Sequence, residues 1–132
     1  MDTPHNPPRI LVVDDEDGVR QMLVFVLARK GFEVAQASNG NEAMRLYKER
    51  EFDVVVTDLI MPDKEGIETI LEMRALKRPV RIIAISGGGR MDHTMHLNLA
   101  RSVGADRVLS KPFMPDELVA IINELLGKTG DA

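Results

Sequence analysis

The sequence has no cysteine among its 132 residues. Disulfide bonds and thiolate metal sites are therefore excluded, and the composition suits a reducing compartment such as the cytoplasm. Long hydrophobic runs are missing as well, because the longest strongly apolar stretch, residues 22–28, is far too short to span a bilayer. The N-terminus has neither the basic start nor the apolar core of a signal peptide. We expect a cytoplasmic protein that makes no use of a membrane.

An excess of positive charge is also lacking. The formal net charge is -4, which argues against a nucleic-acid-binding module, since such modules are usually basic. Hydrophobic residues make up 44% of the chain, as in an ordinary globular protein with a real core. The length fits one domain. We predict a single domain over residues 9–127, a flexible N-terminal tail at 1–8 and a C-terminal tail at 128–132.

Short apolar runs alternate with amphipathic segments along the chain. The apolar runs predict five strands, at Arg9–Val13, Glu33–Ala37, Asp53–Asp58, Arg81–Ser86 and Arg107–Ser110. The amphipathic segments predict five helices, at Gly18–Lys30, Asn41–Arg50, Gly66–Leu76, Asp92–Val103 and Asp116–Leu126. The strands start about 25 residues apart, the room that a strand–helix–strand crossover needs. This alternation predicts an α/β protein, a parallel sheet with helices on both faces.

Polar side chains follow four of the predicted strands. The first strand ends in Asp14-Asp15-Glu16, the third in Asp58, the fourth in Ser86, and the fifth runs into Lys111. Ligands of open parallel sheets bind outside the carboxyl ends of the strands. Each residue alone has a commoner role as a turn former, helix cap or surface group. Polar groups of these kinds at the ends of four separate strands together predict a site.

Clustered carboxylates at one edge of a sheet require a cation. Two like charges ~4 Å apart repel by about 4 kcal/mol at an effective dielectric of 20. Oxygen ligands without thiolates favour hard ions, and Mg²⁺ suits a few carboxylates together with phosphate oxygens. Carboxylates, a divalent metal, a lysine and a hydroxyl form a constellation for phosphoryl transfer. An aspartate is the expected nucleophile, because a carboxylate can form an acyl phosphate.

The motifs LVVDDE, TDLIMPDKEG, IAIS and LSKPF, in this order, resemble the receiver domain of bacterial two-component response regulators, including the chemotaxis regulators. The resemblance covers nearly the whole chain, from about residue 9 to residue 126. It implies a flavodoxin-like (βα)5 fold, doubly wound, with strand order 2-1-3-4-5, for which a chemotaxis member of this family is a standard example. It also implies a phosphorylatable signalling switch rather than an enzyme.

The resemblance implies roles for the residues that would meet the phosphoryl group. Asp58 matches the phosphoacceptor, Ser86 the hydroxyl that bonds one phosphoryl oxygen, and Lys111 the lysine that pairs with another. The Lys111–Pro112 peptide bond is expected to be cis, as in the family. The implied donor is a histidine kinase or a histidine phosphotransfer protein, and the signal would pass to a downstream protein.

A magnesium site follows from the same resemblance. Asp15 matches the acid that binds Mg²⁺ directly, and Asp14 acts mainly through water. Asp58 and the backbone carbonyl of Ile60 are the other implied ligands.

The sequence departs from the family where the signal would be transmitted. The family usually has Tyr or Phe three residues before the lysine, where this chain has Val108, so the common aromatic switch cannot operate. Three glycines, Gly87, Gly88 and Gly89, follow Ser86 and permit unusual backbone angles. They are equally consistent with a plain linker and with a mobile functional lid. We predict that the loop of residues 87–91 carries the signal instead.

Two other functions are compatible with an aspartate nucleophile. A haloacid-dehalogenase-like hydrolase would carry Asp-x-Asp-x-Thr after its first strand and would need a cap, whereas this chain has Asp-Asp-Glu-Asp there and no room for a cap. A receiver used only as a scaffold would not need the full set of acids, hydroxyl and lysine.

Overall fold

The computed structural model describes residues 5–59, 66–87, 98 and 101–127. Within them, five parallel strands form one sheet in the order β2-β1-β3-β4-β5, which confirms the predicted flavodoxin-like architecture. The strands are β1 (Arg9–Val13), β2 (Glu33–Ala37), β3 (Val54–Asp58), β4 (Arg81–Ser86) and β5 (Arg107–Ser110).

Helices lie on both faces of the sheet. They are α1 (Asp17–Arg29), α2 (Gly40–Glu49), α3 (Gly66–Ala75) and a C-terminal helix, Pro115–Leu125. Of the helix predicted at 92–103, the structure describes only residues 98 and 101–103, which are helical. None of the described helices is long and apolar enough to cross a bilayer.

The core has two layers because successive strand residues point to opposite faces. On one face, Val12 and Val56 pack with Leu23 of α1 and with Leu118 of the C-terminal helix. On the other face, α2 and α3 cover the sheet through fully buried side chains such as Tyr47, Ile70 and Met73. β1, β3 and β4 are therefore covered on both sides, which explains their uninterrupted apolar runs.

The predicted ends of helices are displaced by one residue at several points. α1 begins at Asp17 and ends at Arg29, because Lys30 already serves as its C-cap. The C-terminal helix begins at Pro115, a position where proline is favoured since the first helical N–H needs no partner in the helix. These shifts do not move any predicted site residue.

The amino-terminal edge of the sheet is closed by an arginine of α3. The Arg74 guanidinium donates to the carbonyl of Gly104 at 2.8 Å, to that of Val80 at 2.8 Å and to Asp106 Oδ2 at 2.9 Å. Asp106 Oδ2 also accepts from the amide of Ile82 at 2.7 Å. Arg74 thus joins α3 to the starts of β4 and β5, at the edge opposite to the polar strand ends.

Candidate functional site

Asp58 is the last residue of β3, and only 5% of it is exposed. The sheet register pairs it with Ile85 of β4, and its carbonyl accepts from Thr57 Oγ1 at 3.1 Å. Gly66, the first residue of α3, packs directly on this backbone, since a Cβ there would overlap the Asp58 carbonyl oxygen and lie 2.8 Å from the carbonyl carbon. The backbone of Asp58 is therefore fixed from two sides.

Lys111 reaches from the end of β5 to the carboxylates of the neighbouring strands. Its Nζ donates to Asp58 Oδ2 at 2.9 Å and to Glu16 Oε1 at 3.1 Å, and it lies 3.7 Å from Asp14 Oδ2. The sheet thus brings together groups that are 53 and 95 positions apart in sequence. The Lys111–Pro112 peptide bond is cis, which confirms that prediction.

The charge of Lys111 is held firmly by these carboxylates. Burial alone would lower its pKa, but the hydrogen bond and the charge of Asp58, together with Glu16 and Asp14, outweigh burial and raise the pKa above its usual range. Lys111 therefore presents a permanent positive charge beside the Asp58 carboxylate at physiological pH.

Asp14 is buried directly after β1, with 1% of it exposed. Its Oδ1 accepts from the amide of Glu16 at 2.9 Å, whereas Oδ2 has no hydrogen-bond partner within the described part of the chain. Burial raises the pKa of Asp14, while the Glu16 amide and the Lys111 charge oppose that rise. A buried oxygen without a hydrogen bond opposes folding and is a ready ligand for a cation.

The three carboxylates fit a hard divalent cation. One carboxylate oxygen each from Asp14, Glu16 and Asp58 lies within 4.8 Å of the others. The donor set consists of oxygen alone, which suits Mg²⁺ better than a soft metal. Asp15 is exposed and does not belong to this group, so its metal role stays a prediction. Ile60 lies outside the described residues, and so its role stays a prediction too.

Ser86 ends β4 and is almost completely buried, with 1% exposed. Its carbonyl accepts from the Lys111 amide at 2.9 Å, and its Oγ lies 3.2 Å from Ser110 Oγ. Val108 is partly buried and packs against the core below α2 and α3. Gly87 follows β4 directly, but Gly88 and Gly89 and the rest of the predicted signalling loop, residues 88–91, lie outside the part of the structure that is described.

Three residues of this site were given no role of their own from the sequence. Glu16 was named only as part of the acidic end of the first strand, and only the sheet register brings it to Lys111. Ser110 forms a hydroxyl pair with Ser86. This pair could have been suggested from the sequence, because both serines end strands that are neighbours in the implied strand order. Gly66 opens a helix, and its close approach to Asp58 depends on how α3 packs.

Comparisons with known proteins agree with this arrangement. Residues 10–123 match the family model described as the response regulator receiver domain. The chain is 38% identical over 130 residues to the transcriptional regulatory protein PrrA of Mycobacterium tuberculosis, covering 98% of this chain and 54% of PrrA. It is 37% identical over 120 residues to the transcriptional regulatory protein SrrA of Staphylococcus aureus, covering 91% and 48% respectively. The chain therefore spans about half the length of these relatives.

Solved structures show the same likeness. The Vibrio cholerae chemotaxis protein CheY4 superimposes with a TM-score of 0.82 at 29% identity, covering 90% of this chain and 98% of CheY4. The Thermotoga maritima response regulator TrrA, solved in complex with Mg²⁺ and BeF, gives a TM-score of 0.78 at 34% identity, covering 90% and 99%. The fold, the acidic edge of the sheet and the family match lead to one conclusion: the chain belongs to the response regulator receiver domain family, the phosphorylatable switches of two-component systems.

Proposed function

We propose that Asp58 is the residue that accepts the phosphoryl group. The observation that carries the proposal is the 2.9 Å contact between Lys111 Nζ and Asp58 Oδ2, in an acidic cluster whose Asp14 and Asp58 are buried. A carboxylate can act as a nucleophile toward phosphorus, and the positive charge of Lys111 lies directly beside the carboxylate of Asp58. One oxygen of Asp58 is held by Lys111, so the carboxylate is oriented before a donor arrives.

In the proposed reaction, an Asp58 oxygen attacks the phosphorus of a phosphohistidine donor. The new O–P bond forms as the N–P bond breaks, and the donor imidazole leaves and takes up a proton. Lys111 then pairs with a phosphoryl oxygen, and the Ser86 hydroxyl donates to another. Fixed donors of this kind stabilise the negative charge of the transferring group without reorganisation.

Asp14, Asp15 and Asp58, with the backbone carbonyl of Ile60, are the proposed ligands of Mg²⁺. When bound, the ion neutralises the carboxylates and the negative charge of the phosphoryl group. The unbonded Oδ2 of Asp14 supports this assignment. Glu16 lies in the same acidic group and, through its contact with Lys111, keeps the lysine at the site.

The proposed role is that of a signalling domain and not of an enzyme with a separate substrate. It assists its own phosphorylation and dephosphorylation, receives the phosphoryl group from a histidine kinase or a histidine phosphotransfer protein, and signals to another protein. The hydrolase alternative is not favoured by the comparisons. We further infer a cytoplasmic location. We also propose that the domain comprises residues 9–127.

Contact with nucleic acid is not assigned to this domain. The relatives PrrA and SrrA are named as transcriptional regulatory proteins, and the match covers only about half of each. We assign any DNA binding in such proteins to the part outside the match.

Binding of beryllofluoride, which mimics a phosphoryl group, tests the proposed site. Isothermal calorimetry of the protein with beryllofluoride and Mg²⁺ should show one equivalent bound, and chelation of Mg²⁺ with EDTA should remove the signal. Asp58→Asn should abolish binding, whereas Asp116→Asn, an exposed aspartate in the C-terminal helix, should bind as the unchanged protein does. Full binding by Asp58→Asn would refute the proposed phosphoacceptor.

A further inference from the structure

Ser86 and Ser110 form a hydroxyl pair at the carboxyl ends of β4 and β5. They are register partners in the sheet, and their Oγ atoms lie 3.2 Å apart, slightly longer than the usual range of about 2.5–3.0 Å for a bond between hydroxyls. Because parallel register partners point to the same face, this contact follows from the backbone arrangement. It is not a chance meeting of long, flexible side chains.

Ser86 makes a second contact with the end of β5, through its backbone. The amide of Lys111 donates to the Ser86 carbonyl at 2.9 Å. Ser86 is therefore fixed by a backbone bond from the Lys111 amide and by a side-chain contact with the Ser110 hydroxyl. Ser110, the last residue of β5, and Lys111, which follows it, thus both contact Ser86.

Hydrogen bonding limits what Ser86 can do in this pair. A hydroxyl has one hydrogen to donate and two lone pairs that accept. If Ser86 donates to Ser110, its hydrogen is not available to a phosphoryl oxygen. If Ser110 donates to Ser86, the Ser86 hydrogen remains free, and accepting a hydrogen bond makes a hydroxyl a stronger donor.

The geometry points to Ser110 as a positioning residue of the phosphoryl site: its hydroxyl donates to Ser86 Oγ and thereby directs the Ser86 hydrogen toward the phosphoryl group on Asp58. This inference rests on the proposed function of Asp58 and Ser86. Ser110 itself does not touch the phosphoryl group.

The position of Ser110 on β5 gives the contact a second consequence. Ser110 lies two residues after Val108 on the same face of the strand. Val108 packs into the core, whereas Ser110 bonds to Ser86. The hydroxyl of Ser86 is therefore connected to β5 through Ser110, and its carbonyl through the Lys111 amide.

A double-mutant cycle with beryllofluoride tests the role of Ser110. Calorimetry in the presence of Mg²⁺ should show that Ser110→Ala weakens beryllofluoride binding by roughly two- to tenfold, the range expected for one net hydrogen bond. In a Ser86→Ala background, which keeps Asp58 and Lys111, the same Ser110→Ala change should have no effect, because the residue acts only through the Ser86 hydroxyl. Ser110→Thr, which retains the hydroxyl, should bind as the unchanged protein does.

Controls separate this inference from the proposed function and from a loss of structure. Ser102→Ala removes an exposed hydroxyl that bonds within its own helix segment, to Asn98, and should leave the affinity unchanged. Melting temperatures of Ser110→Ala and Ser110→Thr should agree, and exchange of the Lys111 amide in ligand-free protein should be similar in both.

Three results would overturn the role of Ser110. They are unchanged or tighter binding by Ser110→Ala, an equal loss in both backgrounds, and failure of Ser110→Thr to restore binding. If the unchanged protein itself fails to bind beryllofluoride, the proposed function is wrong and the inference fails with it.

Discussion

At the scale of single residues, the role proposed for Asp14 at the Mg²⁺ site opposes the stability of the fold. Its carboxyl is buried, its Oδ2 has no hydrogen bond within the described chain, and burial raises its pKa. In protein without a cation, the ionised carboxylate therefore destabilises the folded state. A binding site for Mg²⁺ that is built before the ion arrives carries this cost.

Asp14→Asn should stabilise the metal-free protein. Asparagine keeps an oxygen for the Glu16 amide and removes the buried charge, so the free energy of unfolding at pH 7 should rise by on the order of 1 kcal/mol. Urea denaturation in EDTA measures this change. Asp17→Asn, at an exposed aspartate that pairs with Arg20, should give no such gain.

The gain in the free energy of unfolding should depend on pH, and the raised pKa of Asp14 determines the direction of that dependence. Above that pKa the carboxyl is charged in both the folded and the unfolded protein, and its full cost is present. As the pH falls through the raised pKa toward the ordinary value of 3.8, the folded state takes up the proton first and the cost disappears. The difference in stability between Asp14→Asn and the unchanged protein should therefore shrink on acidification. A difference that is absent at pH 7, or that grows toward acid, would contradict this account of Asp14.

At the scale of secondary structure elements, the start of α3 sets the position of the end of β3. Gly66 leaves no room for a side chain, because a Cβ would lie 2.8 Å from the Asp58 carbonyl carbon and 2.8 Å from Leu59 Cα. This is a close approach between two backbones, a common reason for glycine at a fixed position. The start of α3 is therefore packed directly against the end of β3.

Gly66→Ala should be strongly destabilising, because backbone rather than a flexible side chain has to give way. We expect a loss of roughly 3 kcal/mol in the free energy of unfolding, measured by urea or thermal denaturation. Gly18→Ala is the matched control, since a Cβ at Gly18 in α1 meets nothing within 4 Å and alanine favours a helix. Equal stability of Gly66→Ala and Gly18→Ala would show that α3 does not pack on Asp58 in this way.

The secondary structure elements also differ in how well the sequence predicts them and their contacts. β1, β2, β4 and β5 were predicted with their observed bounds, because short apolar runs between turn residues are strong local signals. Contacts such as Glu16 with Lys111 were not predicted, since they depend on the strand register and on side-chain reach across two strands. The close approach of Gly66 to Asp58 was missed for a similar reason, as no local pattern reports the distance between packed elements.

At the scale of the whole molecule, the two ends of the strands differ in character; we call them the carboxyl edge and the amino edge of the sheet. The carboxyl edge holds Asp14, Asp58 and Lys111, and the amino edge is tied together by Arg74 and Asp106. This division is typical of open parallel sheets, where ligands bind at the carboxyl ends of the strands. Changes at the amino edge should therefore alter stability without altering phosphorylation.

Arg74→Ala should lower stability without preventing phosphorylation. It removes three hydrogen bonds, two of them to the carbonyls of Gly104 and Val80, whereas Asp106 Oδ2 keeps its bond from the Ile82 amide. We therefore expect a loss of about 1–3 kcal/mol. Arg45→Ala removes only an exposed pair with Glu49 on α2, and its effect should stay within about 0.5 kcal/mol. Denaturation of both variants and their Mg²⁺-dependent beryllofluoride affinity measure the two properties separately. A large loss of affinity in folded Arg74→Ala protein would show that the edges are not independent.

The measurement that tests the central claim most directly is the intact mass of the protein after treatment with acetyl phosphate. With Mg²⁺ present, the unchanged chain should gain the mass of one phosphoryl group, and it should gain none in EDTA. Asp58→Asn should gain none under either condition, although the other carboxylates of the cluster remain. Stoichiometric phosphorylation of Asp58→Asn, or a gain by the unchanged protein that does not depend on Mg²⁺, would contradict the assignment of this acidic edge as the phosphorylation site.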